Sequence, residues 1–169
     1  MNTENLTSRP QLLDWLAGVA LLALIVSDRF LERGTNPILR VLGLLSLILA
    51  PVFFLPPFVL LKRHGHVEDG RPFYDTEVAV DRGLYAVVRH PQYLGYIFLT
   101  MGFVLLSQNV VTFSFGAVAI VLFYVYTLRE EEFCVRHLGS AYEDYCKRVP
   151  RFNVMIGMIR YLMRKRSVQ

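Results

Sequence analysis

The sequence predicts an all-α integral membrane protein, with about four transmembrane helices and short cytosolic amphipathic helices beside them. Hydrophobic residues make up 54% of the 169 and charged residues only 19%, and the mean hydropathy is +0.39, above the range of soluble domains of this size. The apolar residues come in runs of span length, separated by segments rich in charge, Gly and Pro. Lys and Arg are concentrated in alternate ones of those segments, as they are in multi-pass proteins. The chain reads as one membrane domain, 1–169, in which any site must be built from the spans and their flanks.

Residues 1–9 are polar, and Pro10 suits the first turn of a helix. A first span is expected over 11–30, with Trp15 as an interfacial anchor and Asp14 at the same hydrated edge. With Arg9 alone before it and Ser27, Asp28 and Arg29 behind it, this run reads as a retained span rather than a signal peptide. The mixed charges of 28–40, with Gly34 and Asn36–Pro37, are turn chemistry. A second span follows over 38–61, so that 11–61 forms a pair of N-terminal spans. Pro51, Pro56 and Pro57 each remove a backbone donor and are expected to kink it, either as a packing feature or as a lateral gap for a lipid-like substrate.

From Lys62 to Arg89 no apolar run is long enough to span, and only a short piece over 74–80 is expected to be ordered as an amphipathic or extended segment. His64 and His66 lack a nearby third ligand, so no metal site is expected. A short third span begins at Pro91 or Gln92 and ends near Ser107, and Ser107–Gln108–Asn109 makes a tight turn. The fourth span starts at Val110, passes Leu128 and continues as a polar helix until Gly139 stops it. Ser140 with Glu143 forms a capping box for a short helix ending near Arg148. The tail, 153–169, is apolar and then basic, and reads as an interfacial helix on anionic headgroups. Cys134 and Cys146, separated by eleven residues, suit neither zinc nor a disulfide framework and read as buried thiols.

With four spans, the N-terminal segment, 62–90 and the chain from Arg129 share one side and hold 15 of the 18 Lys and Arg residues. The positive-inside rule makes that side cytosolic. The net charge of +4 is then a membrane-surface signature, and no nucleic-acid-binding motif is present.

Two polar clusters stand out, GLYAVVRHPQYLG over 83–95 and Arg129–Glu130–Glu131–Glu132. Pro91 lies seventeen residues before Gln108 and Val125 seventeen after it. Glu130 is therefore expected only roughly one and a half turns further out than Pro91, and the spacing predicts that both clusters meet at one end of the hairpin. His90 precedes a proline and is biased towards extended backbone, so Arg89 and His90 flank a helix N-terminus that favours an anion. Three successive glutamates cover about 200° of a helix surface, so at least one should turn inward. With Tyr85, Tyr93, Tyr142 and Tyr145 nearby, such a pocket suits a zwitterionic cofactor with an aromatic base. Taken singly, the same residues are headgroup anchors, a solvated face and interfacial tyrosines.

These residues resemble a known family. The stretch 83–95 is similar to the G-x-Y-x-x-x-R-H-P-x-Y-x-G motif of isoprenylcysteine carboxyl methyltransferase-like membrane enzymes, and REEEFCVRHLGSAYEDYCKRVPRF is similar to their E-E-x-x-L-x-x-x-F-G-x-x-Y-x-x-Y-x-x-x-V-P-R motif. The related phospholipid N-methyltransferases share much of this pattern. The match covers 83–152, the expected catalytic core. Cys134 and Leu138 stand where Leu and Phe are usual, and Glu132 is additional.

The resemblance implies an S-adenosylmethionine-dependent methyltransferase acting on a lipid-like or prenylated acceptor, a carboxyl, amine or thiol, drawn from the bilayer. It implies cofactor-binding roles for Gly83, Tyr85, His90, Pro91, Tyr93, Gly95, Glu130, Tyr142, Tyr145 and Arg151, catalytic roles for Arg89 and Glu131, and no metal. The expected partners are a membrane lipid or a lipidated substrate. The alternatives are an NADPH-dependent membrane reductase of the sterol-reductase type and a non-catalytic membrane scaffold.

Overall fold

The computed structural model describes residues 11–66 and 76–166, and all regular structure among them is helical. The helices are α1 (Gln11–Phe30), α2 (Pro37–His64), α3 (Pro91–Ser107), α4 (Val110–Leu138), α5 (Ser140–Arg148) and α6 (Val154–Arg166), with a short 3₁₀ turn at Gly83–Ala86. By length and composition α2 and α4 are able to cross a membrane, whereas α3 is apolar but shorter. Only 17% of the most apolar window of α2 and 33% of that of α4 are buried, so these are not the core helices of a soluble protein. Their apolar surface is left for lipid. α1 carries Asp14, Asp28 and Arg29, which confine its uncharged stretch to Trp15–Ser27.

The observed starts have local causes. Asn36 accepts from the amides of Ile38 and Leu39 (3.0 and 3.2 Å) ahead of Pro37, which is an N-cap followed by the residue best suited to the first helical position. Asn109 does the same for α4 through the Val111 amide (2.9 Å), and Asn153 for α6 through the Ile156 amide (2.9 Å). Gly139, at φ +60°, ends α4 as expected, and α5 starts directly after it with Gly139 itself in the capping position. The Ser140–Glu143 capping box is therefore replaced: the amides of Tyr142 and Glu143 reach the Gly139 carbonyl instead. α2 runs unbroken through Pro51, Pro56 and Pro57 to His64, further than the expected end near residue 61. Of the piece expected over 74–80, residues 74 and 75 lie outside the described residues and the rest forms no regular element.

The chain divides into two units, one containing the chain up to Val52 with Gly95–Phe133, the other Phe53–Leu94 with the chain from Cys134 onward. In the first, α2 and α3 cross at two glycines: Cβ atoms built on Gly43 and Gly102 would stand 3.1 and 3.2 Å from each other's carbonyl oxygens. That backbone contact is the small-residue packing of membrane helices. Tyr96 on α3 stacks on Phe123 of α4, with ring centroids 5.0 Å apart and planes 7° from parallel. The hydroxyls of Thr100, Thr112 and Thr127 are buried, and each donates to a main-chain carbonyl three or four residues before it at 2.7–2.8 Å, so they cost little without water.

One end of this unit is latched. Gln108 accepts from the Asn36 amide (2.9 Å) and donates to the Asn36 carbonyl (3.0 Å), and the Gly34 amide donates to the Ser107 carbonyl (2.9 Å). Beside it the buried Asp28 carboxylate is held by Arg33 at 2.5 Å.

In the second unit, Tyr142, Tyr145 and Val149 of α5 and the turn after it are buried together, with Ala79, Cys134, Val135, Leu138 and Cys146 packed around them. The two thiols form no disulfide and are half-buried, less enclosed than expected. Val80, Ala86, Val87 and Val88 continue this core along the approach to α3.

Candidate functional site

The site in the second unit is assembled from 83–94 and 142–152. Gly83 opens the first segment at φ +58°, and a side chain there would meet Leu60 at 3.0 Å. The 3₁₀ turn that follows tightens the chain, with Val87 and Val88 amides both donating to the Leu84 carbonyl (3.0 and 2.9 Å). Beyond it the backbone pairs with the segment after α5: the Arg89 amide donates to the Pro150 carbonyl (3.0 Å) and the His90 amide to the Arg151 carbonyl (3.4 Å). The His90 carbonyl accepts from the Leu94 amide (3.1 Å), which makes His90 the residue immediately before the first turn of α3. Pro91 is fully buried at the first helical position, where its missing donor is no loss. The other first-turn amides have no carbonyl one turn behind them.

His90 is only 6% exposed. Its ring lies 6.0 Å from that of Tyr93 and 6.1 Å from that of Phe152, both inclined. Arg89, Tyr93, Arg151 and Phe152 are half-buried around it. The Tyr145 hydroxyl donates to the Tyr85 carbonyl at 2.8 Å, tying α5 to the 3₁₀ turn. Burial pushes the Tyr145 phenol well above its ordinary titration range, with the neighbouring Tyr85 adding to the effect and Arg89 opposing it. Tyr142 packs on Tyr145 with ring centroids 5.6 Å apart.

Thus Gly83, Tyr85, Arg89, His90, Pro91, Tyr93, Tyr142, Tyr145 and Arg151 belong to one unit. Gly95, Glu130 and Glu131 belong to the other, where Gly95 and Glu131 are buried, Glu130 is half-buried, and the exposed Glu132 pairs with Arg129 at 3.3 Å. Sequence reasoning did not single out Phe152, Gly157 or Arg164. Phe152 was legible only as the last residue of the second motif. The other two carry no signal in an apolar-basic run.

Two cavities lie elsewhere, and none of these residues lines either of them. In the first unit one of about 380 Å³ is lined by Asp14, Trp15, Gly18, Leu22, Tyr96 and Phe123, among others. In the second, one of about 280 Å³ is lined by His64, His66 and 78–82.

A profile of phospholipid methyltransferases matches residues 38–141. The chain belongs to this family. Curated relatives of this phospholipid methyltransferase family member are protein-S-isoprenylcysteine O-methyltransferases. That of Schizosaccharomyces pombe is 39% identical over 72 residues, 42% of this chain and 30% of the relative. Those of Mus musculus and Homo sapiens are 35% and 34% identical over 77 residues, 45% of this chain and 27% of each relative. The match thus spans less than a third of the relatives' length. No solved structure matches the chain.

Proposed function

We propose that this chain is an S-adenosylmethionine-dependent integral membrane methyltransferase acting on a lipid-like or prenylated acceptor drawn from the bilayer. Family membership and the relatives' names support the reaction class. The observation that carries the cofactor assignment is the buried His90 at the start of α3, between Tyr93 and Phe152, with its backbone fixed to the 150–151 segment.

The donor set fits the cofactor. Arg89 and the first-turn amides of α3 suit a carboxylate, and the rings of His90, Tyr93 and Phe152 suit a flat base. Glu130 suits an ammonium or hydroxyl groups. When bound, the cofactor supplies a sulfonium methyl group for in-line displacement. The chain's share is positioning and exclusion of water: Gly83, Tyr85, Pro91, Gly95, Tyr142 and Tyr145 hold the frame, Arg151 closes the polar side, and Glu131 orients the acceptor or removes its proton. Four spans, α1 to α4, with the polar clusters on the cytosolic side, complete the reading.

In detergent, S-adenosylhomocysteine should raise the melting temperature and NADPH should not. His90→Ala should weaken that binding by roughly tenfold, the value of one or two lost polar contacts. Glu131→Gln should leave binding intact while methyl transfer to a membrane extract falls by at least about a hundredfold, the lower end for general acid–base residues. Stabilisation by NADPH alone would refute the methyltransferase assignment.

A further inference from the structure

α6 has two faces with different duties. At 100° per residue, Gly157, Arg160 and Arg164 fall within an arc of about 60°, and Met155, Ile159, Leu162 and Met163 occupy the opposite side. The inner face is welded to the candidate site. Gly157 lies so close to the Val87 carbonyl that any Cβ there would overlap its oxygen. Arg164 donates to the Ala86 carbonyl (2.8 Å) and to the Arg148 carbonyl (2.9 Å), and Arg160 donates to the Lys147 carbonyl (3.4 Å). Ala86 ends the 3₁₀ turn, and Lys147 and Arg148 end α5. Carbonyls at helix C-termini lack intrahelical donors and favour a cation. α6 therefore bridges the same two segments that meet at His90.

The outer face is apolar and open, with Met155 78% and Met163 65% exposed. It is continuous with the exposed Lys165 and Arg166, and the helix contains no acidic residue. An exposed apolar strip with cations at its end and no opposing charge is complementary to one surface, an anionic bilayer leaflet.

We infer that α6 is a lipid-seated clamp: docking of its outer face on anionic lipid holds the 83–91 and 142–152 segments together, so that anionic lipid is a positive effector of cofactor binding. The effector half of this rests on the cofactor reading of His90; the docking half does not.

The test uses the full chain in nanodiscs of phosphatidylcholine alone or with phosphatidylglycerol. Hydrogen exchange of residues 154–166 is followed without cofactor, and S-adenosylhomocysteine affinity is measured separately. Protection of α6 should rise with phosphatidylglycerol and the affinity should tighten about three- to tenfold. The Lys165→Glu/Arg166→Glu variant, altered only at exposed positions, should lose both responses and keep its affinity in phosphatidylcholine. Equal protection of α6 in both lipids would overturn the docking. So would crosslinking of two chains through Met155→Cys, which would show a second copy on this face. Rising protection with unchanged affinity would overturn the clamp. A lipid response of α6 in protein that binds no S-adenosylhomocysteine at all would support docking and refute the cofactor reading instead.

Discussion

Tyr145 does two things with one side chain, its ring filling the core around α5 and its hydroxyl holding the Tyr85 carbonyl. Tyr145→Phe keeps the first and loses the second, and should cost about 1 kcal/mol, or a few degrees of melting temperature. The same residue predicts an alkaline limit. Because burial raises its pKa in the folded state, the unfolded chain loses this proton first. Its contribution is intact below the ordinary tyrosine value of about 10 and is lost as pH rises beyond it. Melting curves between pH 8 and 11 should fall less steeply for Tyr145→Phe than for the native chain; equal slopes would exclude Tyr145 as the source. Gly157 makes a second demand of this kind. Gly157→Ala pushes a methyl group into the Val87 carbonyl and should destabilise by about 1–3 kcal/mol, whereas Met155→Ala, on the exposed face of the same helix, should stay within about 0.5 kcal/mol in detergent.

At the level of elements, the latch between 31–36 and 107–109 concentrates on Gln108, whose amide bonds both main-chain groups of Asn36. Gln108→Ala removes two hydrogen bonds and should cost about 1–3 kcal/mol; a thermal melt unchanged from the native chain would show that the loop pair is held by its backbone contact alone. These elements also show what the sequence could say. The bounds of α3 and α4 were legible because Pro91, Gln108–Asn109 and Gly139 punctuate apolar runs, and the Arg89–His90–Pro91 turn was legible because a proline fixes the first turn it opens. The extension of α2 to His64 was not, since Lys62, Arg63 and His64 lie beyond the apolar run. Nor was the work of α6: an apolar-then-basic run signals an interface, but the Gly157–Val87 and Arg164–Ala86 contacts join residues some seventy or more positions apart, and nothing local marks them. Glutamate burial was legible only as a count, and the structure assigned the inward place to Glu131.

For the molecule as a whole, the decisive asymmetry is in charge. Arg29, Arg33 and Arg40 are the only basic residues between Arg9 and Lys62, and Arg33 is spent on the buried Asp28. The loop at 31–36 therefore offers little positive charge to hold it in the cytosol, while α6 and its approaches offer Lys147, Arg148, Arg151, Arg160, Arg164, Lys165 and Arg166. Orientation responds to Lys and Arg close to span ends and hardly to acids. With four spans, a membrane-impermeant maleimide should label Thr35→Cys in intact cells and Lys165→Cys only after permeabilisation, in a background where Cys134 and Cys146 are serine. Labelling of both positions from the same side would break the four-span reading, because loop 31–36 and α6 are separated by three expected crossings. Reversed labelling would keep the spans and invert the molecule. Loss of the asymmetry when two lysines are added beside Thr35 would show that charge, rather than the order of insertion, sets which way this chain faces.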